Sequence, residues 1–137
     1  MYRRLKATKD TYVTDKIIKD SFRATDANVG EAASLDLFKL YNENSIAGED
    51  TPIELTRALV KFNLNPLREL TGSVLDINST SFKCEIKLYD VYGGQTLPSN
   101  FTLIAFPLSQ SFDEGVGRDV IKYQDMGSAN FFTASVS

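Results

Sequence analysis

Residues 81–89 alternate between apolar and charged side chains, and this pattern constrains the fold more than any other in the chain. The segment reads Ser-Phe-Lys-Cys-Glu-Ile-Lys-Leu-Tyr. A period of two places the apolar groups on one face of a β-strand, whereas a helix would distribute them around its circumference. The sequence therefore predicts a half-buried strand over residues 81–92. Cys84 falls on the apolar face, so we predict a buried and unreactive thiol.

Other strand-type segments recur along the chain and are separated by loops rich in Asn, Gly, Asp and Pro. They are predicted at 11–18, 34–41, 53–64, 101–106, 120–123 and 131–136. In the segment 53–64, the even positions from 56 onward are predicted to face inward, whereas Arg57, Lys61 and Asn63 face solvent. Residues 66–70 are predicted to form one helical turn that Gly72 ends. This order, with at most short helical turns, predicts an all-β fold built as an antiparallel β-sandwich.

Length and charge bound the domain organisation and the class of partner. The chain has 137 residues, of which 42% are hydrophobic and 24% are charged, as in a single globular domain. We divide it into an N-terminal arm at 1–9 and a β-sandwich domain at 10–137. The net charge of −3 argues against nucleic acid as a partner, because nucleic-acid-binding proteins carry concentrated positive charge. Arg3 and Arg4 are interpreted as part of a solvated or subunit-docking arm, the alternative being a phosphate contact.

The sequence contains neither an apolar run long enough to span a bilayer nor an apolar stretch after its basic start. A bilayer-spanning helix needs about 20 apolar residues, and an export signal needs an apolar core. We therefore expect no membrane association and expect the chain to be made and folded in a cytoplasm.

The residue inventory limits the chemistry that the chain can perform. It has no histidine and one cysteine, which excludes histidine-dependent catalysis and the commonest zinc sites. We therefore expect no enzymatic activity. The loop that contains Asp113, Glu114 and Asp119 is interpreted as a structural loop. The alternatives are a calcium site, because carboxylates are preferred calcium ligands and the neighbouring glycines allow a tight loop, or a catalytic carboxylate pair.

Two further groups of side chains have alternative interpretations. Glu43, Glu49 and Asp50 form a second acidic cluster without ligand spacing, which we interpret as a solvated loop. Three tyrosines are interpreted as core-edge or interface residues, and the alternative is a platform on which sugar rings stack. They are Tyr89, Tyr92 and Tyr123.

The final segment has a strand pattern that stops with no turn and no charged residue. An apolar strand in that position is the last strand of the sheet, an edge completed by a partner, or part of a sheet whose final strands are missing. Phe131, Phe132 and Val136 are therefore candidate partner-binding residues, together with Arg3 and Arg4.

Several motifs follow one another in a characteristic order: Asp10-Thr11-Tyr12-Val13, then Asn28-Val29-Gly30 before an apolar segment, then residues 57–64 and 83–89. In this order they resemble the DNRLRE-type jelly-roll domains of extracellular surface proteins and bacteriophage virion proteins. The blocks 90–101 and 106–115 resemble the phage branch. The resemblance covers roughly residues 10–135 and implies a jelly-roll-like sandwich that is incomplete at its C-terminus.

The resemblance implies a function as well as a fold. It implies a non-enzymatic structural subunit of a bacteriophage virion, in a tail, neck or fibre assembly, that docks to other virion proteins through sandwich surfaces and an open strand edge. Virion proteins assemble in the host cytoplasm, which fits the absence of an export signal. The alternative is a carbohydrate-binding module that uses Tyr89, Tyr92 and the loop 113–119. We expect a homo- or hetero-oligomer, and no cofactor other than calcium.

Overall fold

The computed structural model describes residues 2–91, 100–121 and 127–135. The chain divides into two compact units: unit 1 comprises Met1–Phe62 and Ser109–Ser137, and unit 2 comprises Asn63–Leu108. Among the described residues, the strands are β1 (Ala7–Thr14), β2 (Ile17–Ile18), β3 (Phe22–Arg23), β4 (Lys39–Tyr41) and β5 (Ile53–Phe62), and the one helix is α1 (Asn65–Arg68). The strands lie in unit 1. These elements confirm the all-β fold class.

Strand β5 is the centre of a three-stranded antiparallel sheet of order β1-β5-β4, and β2 pairs with β3 in a hairpin. On β5, Arg57 and Lys61 are exposed, whereas Ala58 and Val60 are partly covered. This alternation agrees with the predicted inward and outward positions within β5. Leu64, which was predicted to face inward, lies beyond the end of the strand and is 50% exposed. Packing of two sheets as a sandwich stays a prediction.

Side chains extend the sheet where regular backbone pairing stops. The register between β1 and β5 shifts near the start of β1, and there the Thr8 hydroxyl donates to the Lys61 carbonyl at 3.1 Å. Beyond the end of β1, the Asp15 N–H donates to the Leu55 carbonyl at 3.3 Å. Asp15 Oδ1 in turn accepts the Leu55 N–H at 2.7 Å. Hydrogen bonds thus continue past the regular pairing at both ends, at an exposed position near Thr8 and at a half-buried position near Asp15.

The core of unit 1 combines residues from the end of β1, the β2–β3 hairpin, the loop that follows the hairpin, and the C-terminal part of the chain. Its buried cluster comprises Tyr12, Ile18, Ala24, Ala27, Val29 and Val120. Because Val120 is distant in sequence from the other members, this core forms only when the two parts of unit 1 come together.

Tyr12 is the core residue with a titratable group, and its environment predicts a stability change at high pH. Its side chain is 7% exposed, and its hydroxyl donates to Asp36 Oδ2 at 3.5 Å. Desolvation, reinforced by the negative charge of Asp36, raises the pKa of Tyr12 from 10.0 to about 12. The folded state therefore keeps a proton that the unfolded chain releases near pH 10. The resulting stabilisation is complete below pH 10 and is lost as the pH rises to about 12.

We expect the free energy of unfolding to fall by about 2–3 kcal/mol across this pH range through Tyr12 alone. Urea unfolding at a series of pH values between 9 and 12 measures the change. The Tyr12→Phe variant removes the titrating group and should show a correspondingly shallower pH dependence. An identical pH dependence in both proteins would contradict this assignment.

The predicted strand at 81–92 is wrong for residues 81–91, which form no strand. Ile86 and Leu88, which were expected to be buried, are 61% and 59% exposed. Cys84 is exposed too, so the predicted buried thiol is also wrong. Residue 92 lies outside the described residues. A strand needs a neighbour for its backbone hydrogen bonds and for its apolar face, and no described segment of the chain pairs with this one.

Other predicted strands are shorter than expected or absent. The segment 34–41 is a strand only at β4, and the segment 11–18 is divided between the end of β1 and β2. Residues 101–106, 120–121 and 131–135 form no strand, while residues 122–123 and 136 lie outside the described part. The helical turn predicted near 66–70 is confirmed as α1, with a proline in its first turn. Gly72 follows it with a φ of 87°.

Candidate docking surface

One buried side chain joins three segments of unit 1, and we name this cluster the Asn28 joint (Asn28, Gly30, Gly115 and Gly117). Asn28 is 1% exposed. Its Nδ2 donates to the carbonyls of Glu114 at 2.8 Å and Ala129 at 3.0 Å. Its Oδ1 accepts the N–H groups of Gly30 at 3.0 Å and Gly117 at 3.4 Å. Both donor and both acceptor positions of the amide are therefore used.

The glycines of the Asn28 joint are required by close backbone packing. A Cβ on Gly30 would overlap the carbonyl oxygen of Glu114, and a Cβ on Gly117 would overlap the carbonyl oxygen of Asn28. Gly115 has a φ of 76°, in the left-handed region that favours glycine. The loop around Asn28 and the loop 113–119, which are separate motifs in the sequence, thus form one unit in the structure.

The segment predicted as a C-terminal edge strand forms a turn in its described part, which we name the Asn130 turn (residues 129–134). Asn130 Oδ1 accepts the N–H groups of Phe132 at 2.9 Å and Thr133 at 3.0 Å. The Asn130 N–H donates to the Thr133 carbonyl at 2.8 Å. Asn favours such turns because its side chain bonds the backbone two residues on. Residues 131–135 therefore offer no strand edge, and Val136 lies outside the described residues.

The Asn130 turn is attached to the rest of unit 1 through backbone hydrogen bonds. The Ala129 N–H donates to the Asp113 carbonyl at 3.1 Å, and the Asp113 N–H donates to the Ala134 carbonyl at 2.9 Å. The Phe131 N–H donates to the Thr25 carbonyl at 3.0 Å. The turn also contacts the Asn28 joint through the Ala129 carbonyl. These attachments at both ends and at one side hold the turn in place.

Two adjacent aromatic rings lie at the tip of this turn, and they differ in exposure. The Arg57 guanidinium carbon lies 4.2 Å from the centroid of the Phe131 ring, and Arg57 Nη1 donates to the Phe131 carbonyl at 3.3 Å. The Phe132 ring stands edge-on to that of Phe131, with centroids 5.7 Å apart and planes at 86°. Phe132 is 77% exposed. The structure thus holds one aromatic ring in place and presents the next to solvent.

The other candidate docking residues belong to the N-terminal arm. Arg3 and Arg4 are exposed and lie outside any helix or strand, and Tyr2 is 72% exposed. Within the described part of the chain, no hydrogen bond or cation–π contact joins either arginine to Phe131 or Phe132. The structure therefore brings together only part of the predicted partner-binding set.

The three candidate calcium ligands have separate roles in the structure. Asp113 is exposed, and the Glu114 carboxylate accepts the Asp10 N–H at 2.6 Å. Asp119 Oδ1 accepts the Ile121 N–H at 2.8 Å. In residues 2–91, 100–121 and 127–135, no group of three or more His, Cys, Asp or Glu side chains is placed to hold a metal ion.

The candidate sugar platform cannot be assembled from the described residues. Tyr89 is 81% exposed, but Tyr92 and Tyr123 lie outside the described residues.

The described helix of this protein is too short to cross a membrane.

Sequence reasoning missed a buried carboxylate at the centre of unit 1. Glu54 on β5 is 1% exposed. Its Oε2 accepts the Ile17 N–H at 2.7 Å, and its Oε1 accepts an N–H of Asn44 Nδ2 at 2.7 Å. Glu54 has the same parity as the inward positions of β5, so the alternation held a signal that would have found it. Its burial was not predicted, because charged side chains are normally exposed.

A second missed residue, Arg23, connects the hairpin to its surroundings. Its Nη1 donates to the carbonyls of Asp15 at 3.1 Å and Ile53 at 2.9 Å. Its Nε and Nη2 together bind the Glu49 carboxylate. The hydrogen bonds from Arg23 lower the pKa of Glu49 in the folded state. The pair therefore stabilises the fold at pH values above the pKa that Glu49 has in the unfolded chain. This stabilisation is lost as the pH falls through the lower pKa of Glu49 in the folded state. Glu49, which was interpreted as part of a solvated loop, thus also binds Arg23.

Comparison of the chain with protein-family models, curated proteins and solved structures found no match.

Proposed function

We propose that this chain is a non-enzymatic structural subunit of a bacteriophage virion, in a tail, neck or fibre assembly, that docks to other virion proteins. The order of the DNRLRE-like motifs supports the proposal, as does an all-β fold. The proposed docking contact does not involve calcium.

The observation that carries the docking proposal is the presentation of Phe132. Aromatic side chains are enriched at the centres of protein interfaces, where they supply a large contact area with few rotatable bonds. Phe132 is 77% exposed on a turn that is attached at both ends, so little ordering is required when a partner covers it. The proposed contact is an aromatic side chain entering a pocket of a neighbouring protein, in place of the strand edge expected from the sequence.

The Phe132→Asp variant tests the proposal in particles. We expect the wild-type chain in particles purified by density gradient from cells that replicate the genome encoding it, as detected by mass spectrometry. Aspartate cannot fill an apolar pocket and buries a charge there, so incorporation of the variant should fall at least tenfold. Absence of the wild-type chain from the particles would refute the virion assignment.

Leu37→Asp is the matched control, because Leu37 is an exposed apolar residue of unit 1 (41%) outside the Asn130 turn. We expect this variant to be incorporated at the wild-type level. Equal incorporation of Phe132→Asp and Leu37→Asp would refute docking through the turn while leaving the virion assignment standing. The carbohydrate-binding alternative stays a prediction from the sequence.

A further inference from the structure

Residues 83–89 of unit 2 are a strand-type segment without a partner in the described chain. None of them forms a hydrogen bond or an ion pair with another described residue. On the apolar face, Ile86 is 61% and Leu88 is 59% exposed, and on the charged face Tyr89 is 81% exposed. Unpaired backbone groups next to an apolar face form a template for strand pairing.

We propose that residues 83–89 pair antiparallel with the same residues of a second copy of this chain, about a two-fold axis at Ile86. In this register Glu85 lies opposite Lys87 of the second copy, and Lys87 lies opposite its Glu85. Ile86 lies opposite Ile86, and Cys84 lies opposite Leu88. The pairing therefore forms two opposite-charge pairs on one face, with Lys83 opposite Tyr89, and places apolar side chains opposite one another on the other face. It concerns copies of the chain in solution and does not depend on the proposed function.

The charges disfavour other self-pairings of this segment. A two-fold axis at Glu85 would place Glu85 opposite Glu85, and Lys83 opposite Lys87. A parallel pairing in register would place every charged residue opposite its own copy. Like charges directly opposite one another destabilise a sheet, so both arrangements are less favourable than the one centred on Ile86.

An axis at Cys84 would also match charges, placing Lys83 opposite Glu85, but it would need residues 79–82. Those residues form a turn of their own. The Phe82 N–H donates to the Ser79 carbonyl at 3.0 Å, and the Ser81 N–H donates to Ser79 Oγ at 3.2 Å. The register centred on Ile86 uses only residues without hydrogen bonds to other described residues, so it requires no existing bond to break.

Unit 2 exposes further apolar side chains. Phe101, Ile104 and Phe106 are 65%, 72% and 78% exposed. Residues 101–108 also form no hydrogen bond with another described residue.

Charge reversal tests the partner and the register together. Glu85→Lys places two lysine pairs across the axis, and Lys87→Glu places two glutamate pairs there. Each single variant should weaken dimerisation about tenfold, measured by sedimentation equilibrium. The double variant Glu85→Lys/Lys87→Glu restores both opposite-charge pairs and should recover an affinity within about threefold of the wild type. Glu69→Lys, an exposed charge change beside α1, is the control and should leave dimerisation unchanged.

Disulfide trapping tests the position of the axis. The Cys84→Ser/Ile86→Cys variant places its single cysteine on the axis and should form a covalent dimer under mild oxidation. Wild-type Cys84 should not, because the two copies of Cys84 would lie about 14 Å apart in this register, beyond disulfide reach. A monomeric wild-type chain, a double variant that stays weak, or trapping through Cys84 in the wild type would each overturn the proposal.

Discussion

Replacing Asn28 by alanine is expected to lower the free energy of unfolding by about 3–4 kcal/mol. The substitution removes four hydrogen bonds from a site where the side chain is 1% exposed. The two carbonyls and two N–H groups that Asn28 satisfies lose that partner in an environment that water hardly reaches. Urea unfolding, followed by far-ultraviolet circular dichroism, measures the loss.

Asn28→Asp separates hydrogen bonding from side-chain volume. The carboxylate keeps the shape of the amide but cannot donate to the carbonyls of Glu114 and Ala129, so oxygen atoms would face one another. We expect a loss at neutral pH at least as large as that of Asn28→Ala. Asn78 is an exposed asparagine whose replacement by alanine should cost less than about 0.5 kcal/mol. If Asn28→Asp were as stable as the wild type, the Asn28 joint would not stabilise the fold as described.

Replacing Glu54 by alanine is expected to cost about 3–4 kcal/mol. Glu54 accepts two hydrogen bonds as a 1% exposed carboxylate, one from the Ile17 N–H and one from Asn44. Its removal leaves the backbone N–H of Ile17, which lies in the β2–β3 hairpin, without its hydrogen-bond acceptor. It also leaves a cavity where the buried side chain was. Thermal and urea unfolding of the purified variant measure this effect.

Glu54→Gln is the informative comparison, because glutamine retains the size and one acceptor oxygen of glutamate. Asn44 can turn its amide to present an acceptor to the new NH₂ group, so we expect about half the loss seen with alanine. Glu43, which is adjacent to Asn44 in the sequence, is exposed. As the control, Glu43→Ala should leave the free energy of unfolding unchanged. Equal losses for Glu43→Ala and Glu54→Ala would contradict a specific role for the buried carboxylate.

Asn28 and Glu54 each join separate segments of unit 1, and Asn28 also supports the candidate docking surface. The Asn28 joint bonds the Ala129 carbonyl, at the start of the turn that presents Phe132. Damage to the joint should therefore weaken docking as well as stability, whereas Phe132→Asp should weaken docking alone. Comparing the two variants separates loss of the contact residue from loss of its support.

The local sequence was sufficient to predict the elements that depend on residues close together in the chain. Alternation along β5 predicted that Arg57 and Lys61 are exposed and that the residues between them are covered on the inward face. α1 forms where proline occupies the first turn of a helix. The absence of longer helical periodicity predicted the all-β class. These features depend on neighbours a few residues apart, so a single sequence contains them.

Tertiary structure decided which strand-type segments find a partner. Residues 53–62 and 83–89 both alternate, but within the described residues only the former lie between two other strands. Strand formation requires hydrogen-bonding groups from a second segment. The same reason explains the Asn28 joint: its two loops meet only in the folded chain, and no local pattern specifies that meeting. The sequence by itself determined faces and turns, whereas long-range pairing determined which of those faces are buried and where Phe132 is presented.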